Sequence, residues 1–291
     1  LQMLMDVEYA SEFMYSNPVI DEKTLVLAIS QSGETIDTLE ALKYARKKGA
    51  KSVAVINVKG SSIARESDYV MYTVAGPEIA VASTKAYTTQ VETLMLLIGR
   101  MAKVRGIFDD AAEKEYVDNM LQIPAKLKEV LNKKHDIHKI ARKLLEAKDA
   151  FMLGRGLDYS ILLEGALKLK EISYIHTEAY ASGELKHGTI ALITEDTPVV
   201  AVVTQEKLKD KELSNIREVQ SRGASVVLFV RESISMADAE YADVLLLPDM
   251  ADEFMVFPAA AALQLLAYYV SMDRGLDVDK PRNLAKVVTV E

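Results

Sequence analysis

Short apolar runs alternate with longer amphipathic segments along most of the chain. Residues 25–29 and 52–56 are unbroken runs of aliphatic and small side chains, which is typical of strands buried on both faces. Between them, residues 35–48 carry apolar side chains at helical spacing, which predicts a helix. A further strand is predicted over residues 69–73 and a long apolar helix over residues 83–101. Since a parallel crossover needs a connection of helical length, this alternation indicates an α/β fold with parallel sheets.

The second half of the chain repeats the order of the first. Strand-like runs recur at residues 199–203 and 226–230, and an apolar helix is predicted over residues 257–272. The matched landmarks, each pair 174 or 175 residues apart, are Leu25 and Val199, Gly49 and Gly223, Asp68 and Asp243, and Glu78 and Glu253. Because these landmarks recur in the same order, we infer a tandem duplication of one α/β unit.

The repeat also predicts the domain organisation. We expect a first domain over residues 1–122, a charged helical connector over 123–146, a second domain over 147–272 and an irregular tail over 273–291. In the second unit, the 46 residues from Phe151 up to Thr197 are expected to hold a strand, a glycine-rich loop and a helix. Only 23 residues precede Thr24 in the first unit. The first domain is therefore predicted to be incomplete at its N-terminus, and the natural protein to be longer there.

Composition and charge narrow the functional classes. The formal net charge of −8 argues against a nucleic-acid surface, which needs a dominant basic patch. The absence of cysteine excludes disulfides, thiolate zinc sites and a cysteine nucleophile within this chain. The longest apolar stretch, residues 257–270, contains Pro258 and Gln264 and is shorter than a membrane span. We therefore expect a cytoplasmic protein that binds neither nucleic acid nor membrane.

A metal site is not expected either. His135 and His138 are three residues apart on the predicted connector helix, but no third His and no carboxylate is arranged with them. A solvated helix face explains this pair more simply. No cofactor is predicted.

Residues 30–35, Ser-Gln-Ser-Gly-Glu-Thr, lie between the end of a buried strand and the start of a helix. Ligands bind at this edge of open parallel sheets, and a helix N-terminus favours an anion. Small hydroxyl side chains and Gly33 allow backbone N–H groups to approach a phosphate. An ordinary helix cap formed by Ser32 explains the same pattern equally well. The second unit has Thr-Gln-Glu-Lys at the matching position, so only the first unit is predicted to hold phosphate in this way.

Glu164, Lys168 and Glu171 are spaced to share one face of a helix predicted to begin near residue 159. Glu171 is a candidate for moving a proton between neighbouring carbons of an open-chain sugar, with Lys168 assisting at an oxygen. On spacing alone, an exposed ladder of salt bridges is the more common explanation. His187, in a glycine-flanked loop, is an acid–base candidate, and a plain surface histidine is the alternative.

Five segments together carry a family resemblance. They are residues 30–35 (SQSGET), 81–85 (VASTK), 164–171 (EGALKLKE), 183–188 (GELKHG) and the tail 279–286 (DKPRNLAK) followed by 288–291 (VTVE). From about residue 7 onward, the chain resembles the isomerase domains of the glutamine–fructose-6-phosphate aminotransferases. The resemblance implies two flavodoxin-like, three-layer αβα sugar-isomerase (SIS) domains and a C-terminal tail that closes the site.

The resemblance also implies roles for individual residues. The sugar phosphate would be held by Ser30, Gln31, Ser32 and Thr35, and the sugar would be contacted by Val81, Ser83 and Ala285. Glu171 would carry the proton between C1 and C2 with help from Lys168. His187 would open the sugar ring from the neighbouring subunit of a homodimer. Lys286 would meet the C2 carbonyl as a Schiff base.

The resemblance implies the conversion of fructose 6-phosphate, with ammonia, to glucosamine 6-phosphate. The family's glutaminase domain, with its N-terminal cysteine nucleophile, is absent from this chain and is expected in the full-length protein. The family's first sugar-binding loop would fall in the opening segment that the first unit lacks. Two alternatives are another amino-sugar-phosphate isomerase or deglycase and a non-catalytic sugar-phosphate sensor. The joint presence of Glu171, His187 and Lys286 favours the enzyme over the sensor.

Overall fold

A computed structural model of the chain describes residues 1, 3–236 and 243–286, and it separates into two compact units. Unit 1 comprises Leu1–Tyr116 together with the chain from Ala285 onward, and unit 2 comprises Val117–Leu284. The last five residues of the predicted tail, 287–291, lie outside the described residues. The part of the tail motif that they contribute is therefore not placed.

Unit 1 is built around a parallel sheet of three strands in the order β1-β2-β3. Its strands are β1 (Leu25–Ser30), β2 (Lys51–Ile56) and β3 (Tyr69–Tyr72), and its helices are α1 (Ala10–Phe13), α2 (Ile36–Lys47), α3 (Ser62–Glu66) and α4 (Lys85–Val104). The helix α5 (Asp110–Asn132) carries the chain into unit 2. The core packs Leu42 of α2 and Ile63 of α3 against Ala54 and Ile56 of β2. These elements agree with the pattern of apolar positions in the sequence.

The described residues of unit 2 form five parallel strands in the order β5-β4-β6-β7-β8. Its elements are α6 (Lys134–Ala141), β4 (Asp149–Gly154), α7 (Leu157–Ser173), β5 (His176–Ala181), β6 (Pro198–Val203), α8 (Lys209–Gln220), β7 (Ser225–Arg231), β8 (Asp243–Leu247) and α9 (Val256–Asp273). Numbered within the unit, this order is 2-1-3-4-5, which is the flavodoxin-like order. The three strands of unit 1 follow each other as β6, β7 and β8 do. The predicted α/β fold with parallel sheets is confirmed.

The long apolar helix α9 packs against α7 in the core of unit 2. Gly165 permits the close approach, because a Cβ added to it would lie 2.8 Å from Leu263 Cδ1. One helix among the described residues, Asp252–Asp273, is long and apolar enough to cross a membrane. However, 72% of its apolar 18-residue stretch is buried inside the protein. A core helix explains its composition. Its packing fixes the buried face of α7 within unit 2.

Candidate functional site

The predicted phosphate loop follows β1 directly and is held by its own hydroxyl groups. The Gly33 N–H donates to Ser30 Oγ at 3.0 Å, and Ser30 Oγ lies 3.3 Å from Thr35 Oγ1. Ser32 Oγ accepts the Glu34 N–H at 3.2 Å. Ser30 and Ser32 are both buried. The loop is therefore a compact turn whose hydroxyl groups line the carboxyl end of β1.

Gly33 is required at the centre of this loop. Its φ of +67° lies in the left-handed region, and a Cβ there would lie 2.1 Å from Ser61 Oγ. Its carbonyl accepts the Ile63 N–H at 3.0 Å, which ties the loop to the start of α3. Any side chain at this position would push the loop away from Ser61.

The alternative of an ordinary helix cap can be tested against the geometry. The N-cap residue of α2 is Thr35, and it makes no side-chain cap hydrogen bond. Ser32 is bonded to the loop amide of Glu34 instead of to an amide of the helix. The first amide groups of α2 therefore receive no side-chain cap, and such groups favour an anion.

The matching loop of unit 2 is occupied by a side chain of its own unit. Thr204, which lies 174 residues after Ser30, donates its N–H to Asp158 Oδ2 at 2.9 Å and its hydroxyl to Asp158 Oδ1. Asp158 is only 3% exposed in the first turn of α7. Burial raises the pKa of Asp158 to about 6, although the bonds from Thr204 oppose the rise. This loop has its polar groups satisfied internally, in keeping with the lack of the serine-rich motif.

The tail lysine lies at the start of α4. Lys286 Nζ is 2.9 Å from Glu78 Oε2, 3.3 Å from Ser83 Oγ and 3.5 Å from the Val81 carbonyl oxygen. Unit 1 thus brings together Val81, Ser83 and Lys286, three residues to which the family resemblance assigns roles at the site. Ala285, which precedes the lysine, is exposed.

Glu78 is a site residue that sequence reasoning missed. Its Oε1 accepts the Thr84 N–H at 2.8 Å and the Ala86 N–H at 3.4 Å, so it caps α4 from six residues upstream. Burial alone would raise the pKa of Glu78, but the Thr84 amide and the Lys286 ammonium together hold it below its usual value. The only signal in the sequence was the place of Glu78 in the repeat, opposite Glu253.

A cavity of about 400 Å³ opens at the carboxyl ends of the unit 1 strands. Gln31 and Lys286 both line it, which places a residue of the phosphate loop and the tail lysine beside one space. The other polar side chains in its wall are Asn57, Lys59, Tyr72 and Glu78. A hexose phosphate is within the size range of ligands that such a cavity admits.

Lys168 of α7 is buried, and the carboxylates of Glu164 and Glu171 beside it are partly buried. Lys168 Nζ lies 2.6 Å from Glu171 Oε2 and 3.6 Å from Glu164 Oε1, and the exposed fractions of the Lys168, Glu164 and Glu171 side chains are 4%, 10% and 22%. The alternative of an exposed salt-bridge ladder is therefore wrong. Desolvation raises the pKa of Glu164 to about 7, with the nearby Lys168 charge opposing it. Glu171 is the most exposed of the three.

His187 ends a short helical turn, Glu184–His187, and its side chain is exposed. Within the part of the chain that the structure describes, its ring makes no hydrogen bond to Lys168 or Glu171. The structure thus does not join His187 to the α7 cluster. His138, in contrast, is bonded to Asp273 at 2.9 Å. No group of three His, Cys, Asp or Glu side chains among the described residues is arranged to hold a metal ion.

Comparisons with known proteins agree with this architecture. The family model for the SIS domain matches residues 1–100 and 143–272. The glutamine–fructose-6-phosphate aminotransferase (isomerizing) of Clostridium tetani is 52% identical over 99% of this chain, which spans 47% of that protein. The C-terminal domain of glucosamine-fructose-6-phosphate aminotransferase from Francisella tularensis is 42% identical, with a TM-score of 0.92 over 94% of this chain and 78% of that one. A glucosamine-6-phosphate deaminase from Thermotoga maritima, 24% identical with a TM-score of 0.75, shares the fold over 96% of this chain and 80% of its own.

The chain belongs to the SIS domain family. Within that family, it is similar to the C-terminal, isomerase part of glutamine–fructose-6-phosphate aminotransferases. The chain spans about half the length of the curated relatives that it matches. The family resemblance and the flavodoxin-like fold expected from the sequence are therefore confirmed.

Proposed function

We propose that the chain is a sugar-phosphate isomerase module that converts fructose 6-phosphate, with ammonia, to glucosamine 6-phosphate in hexosamine biosynthesis. The observation that carries the proposal is the ion pair on α7 between the buried Lys168 and the partly buried Glu171, whose Nζ and Oε2 atoms are 2.6 Å apart. Removing charged groups from water costs free energy, and groups held in this way cluster at functional sites. An ion pair whose lysine is buried and whose glutamate is partly exposed therefore points to a chemical role. The names of the similar proteins support the choice of substrate.

In this proposal, unit 1 holds the phosphate. The phosphate oxygens accept hydrogen bonds from the hydroxyl groups of Ser30, Ser32 and Thr35, from Gln31 and from the uncapped amides at the start of α2. Val81, Ser83 and Ala285 contact the sugar. Lys286 forms a Schiff base with the C2 carbonyl as water leaves, and ammonia then displaces the lysine amine to give the free imine at C2. Lys286 and Gln31 border the same cavity, which supports a shared ligand.

Unit 2 supplies the proton transfer. The Glu171 carboxylate removes a proton from C1 of the open-chain substrate, and an enediol or, with ammonia bound at C2, an enolamine is formed. Glu171 then returns the proton to C2, which gives the aldose. Lys168 Nζ stabilises the developing negative charge on oxygen, since an ammonium beside an oxyanion acts strongly in a buried site. His187 protonates the ring oxygen when the ring opens.

The proposal includes two partners. A homodimer would bring His187 from the neighbouring subunit, and the exposure of this histidine supports such a role. A glutaminase domain in the full-length protein would supply ammonia. The relatives are about twice as long as this chain, which leaves room for a further domain. A cytoplasmic location follows from the same proposal.

The test is to incubate the chain with fructose 6-phosphate, with and without ammonium, and to assay glucosamine 6-phosphate and glucose 6-phosphate. Glu171→Gln should abolish turnover while sugar-phosphate binding is retained, and Glu184→Gln, which changes an exposed carboxylate of the same unit, serves as the control. Sugar-phosphate binding without either product, also in the full-length protein, would contradict the isomerase and favour a sensor.

A further inference from the structure

Lys286 forms hydrogen bonds with groups that are assigned to the sugar in the proposed reaction. Its Nζ lies 3.3 Å from Ser83 Oγ and 3.5 Å from the Val81 carbonyl oxygen, and its third partner is Glu78 Oε2 at 2.9 Å. An ammonium group has three N–H donors, so these three acceptors can satisfy it completely. A sugar hydroxyl that binds Val81 and Ser83 must therefore replace the lysine.

Glu78 is the residue that fixes this arrangement. Its side chain is only 4% exposed, and one of its oxygens is held by the amides of Thr84 and Ala86 at the start of α4. The positive end of the helix dipole stabilises the negative charge of the carboxylate. The other oxygen is left to face Lys286, and a hydrogen bond between two charged groups is about twice as strong as a neutral one.

We propose that Glu78 is a positioning residue that holds Lys286 on the sugar-contact groups until a sugar phosphate displaces it. The inference rests on the proposed function, because it assigns Val81 and Ser83 to the sugar. An amine whose nitrogen carries a proton and three hydrogen bonds is not a nucleophile. Lys286 is thus kept unreactive in the free protein, and the sugar hydroxyls release it by taking its partners.

The cavity beside the lysine gives the exchange a route. Glu78 and Lys286 both line it, so a ligand in the cavity approaches the ion pair directly.

The repeat supplies a matched control, since Glu253 lies at the position of unit 2 that corresponds to Glu78 and is exposed.

The first test measures the reactivity of the Lys286 amine. The protein, Glu78→Gln and Glu253→Gln are each treated with trace acetic anhydride, and acetylation of the Lys286 peptide is followed by mass spectrometry against that of exposed lysines. We expect Lys286 to react at least about fivefold more slowly than exposed lysines, because all its donors are bonded. Glu78→Gln should remove most of this protection, and Glu253→Gln should leave it intact.

The second test measures binding of glucitol 6-phosphate, which has no carbonyl and cannot form a Schiff base. If the lysine must first leave its partners, Glu78→Gln should bind this compound about threefold to tenfold more tightly than the parent protein does. The kcat of the variant with fructose 6-phosphate should not rise by the same factor. Since Glu78 also caps α4, Ser83→Ala provides a second variant that keeps the cap. It should give an intermediate increase in Lys286 acetylation.

The outcomes separate the two proposals. Lys286 acetylation as fast as that of exposed lysines, or protection unchanged in both Glu78→Gln and Ser83→Ala, overturns the positioning role even if the enzyme turns over. Protection that depends on Glu78 in a protein without turnover supports the contact and counts against the proposed function alone.

Discussion

Lys168 Nζ lies 2.6 Å from Glu171 Oε2 and 3.6 Å from Glu164 Oε1, so one buried cation stands between two carboxylates of the same helix. Removing that cation tests its role. Lys168→Met should lower kcat at least about 100-fold, because the oxyanion of the enediol loses its charged partner. Stability should fall by only about 1–2 kcal/mol, because Glu164, with a pKa of about 7, can take a proton.

The measurement pairs steady-state kinetics with thermal unfolding of the same samples. Lys170→Met, which removes an exposed lysine two residues along α7, is the control and should leave both quantities unchanged. Full activity in Lys168→Met would show that the cation has only a structural role.

Gly33→Ala should disrupt the phosphate loop. The added Cβ would meet Ser61 Oγ at 2.1 Å while the backbone keeps a φ of +67°. We expect sugar-phosphate affinity to fall at least about tenfold, because the loop can relieve the clash only by moving. Isothermal titration calorimetry measures the affinity.

The control is Gly106→Ala, which has a similar φ of +70° but nothing within 4 Å of the added Cβ. It should cost about 1 kcal/mol of stability and leave the affinity unchanged. Equal affinity losses in the two variants would assign the effect to backbone strain alone.

Glu212 should make the stability of unit 2 depend on pH. It is 1% exposed, its Oε1 accepts the Ser182 hydroxyl at 2.7 Å, and its Oε2 is 3.8 Å from Arg155 Nε. Burial raises the pKa of Glu212 to about 7, despite the Ser182 bond and the Arg155 charge. The folded protein therefore binds more protons than the unfolded chain between the ordinary glutamate pKa and about pH 7. This contribution to stability decreases as pH rises through that window.

Glu212→Gln should accordingly be more stable than the parent at pH 8, by on the order of 2 kcal/mol, and the difference should shrink toward pH 5. Urea unfolding at several pH values measures it. Glu195→Gln, at an exposed position of the same unit, should show no such trend. A Glu212→Gln variant less stable than the parent at pH 8 would show that Arg155 outweighs the cost of burial.

Arg274 should be a major stabiliser of unit 2. At the end of α9 it donates to the carbonyl oxygens of Leu145 and Ser173, both at 2.9 Å, and of Leu144 at 3.2 Å. Arg274→Gln should lower the free energy of unfolding by about 2–4 kcal/mol, because several carbonyl groups lose a charged donor at once. Arg222→Gln, at an exposed site with one bond to the Glu218 carbonyl, should cost far less, and equal losses would contradict the assignment.

The elements of the fold could be predicted from the sequence where the apolar pattern was strong. The strands β1, β2, β6 and β7 are unbroken apolar runs, and each was found within one residue of its observed ends. The strand β5, His176–Ala181, was missed, because it is a polar edge strand and its sequence, HTEAYA, lacks an apolar run. Edge strands are hard to detect from hydrophobicity alone, since one side of them faces solvent.

The candidate site shows a similar limit. Spacing placed Glu164, Lys168 and Glu171 on one helix face, but their burial depends on how α7 packs against α9, which no local pattern encodes. Glu78 was not singled out, because it caps α4 across a loop instead of at the helix start. The assigned roles of Ser30, Gln31, Ser32 and Thr35 in holding phosphate, and of His187 in opening the ring, stay predictions.

Asp158 gives the second copy of the repeat an anion of its own. Its carboxylate takes the Thr204 amide and hydroxyl at the position where Ser30 begins the phosphate loop in the first copy. A free phosphate would have to displace the Asp158 carboxylate, which belongs to the same chain and therefore competes at a high effective concentration. The duplicated fold should therefore behave as a monovalent receptor, and titration with a sugar phosphate should saturate at one equivalent per chain.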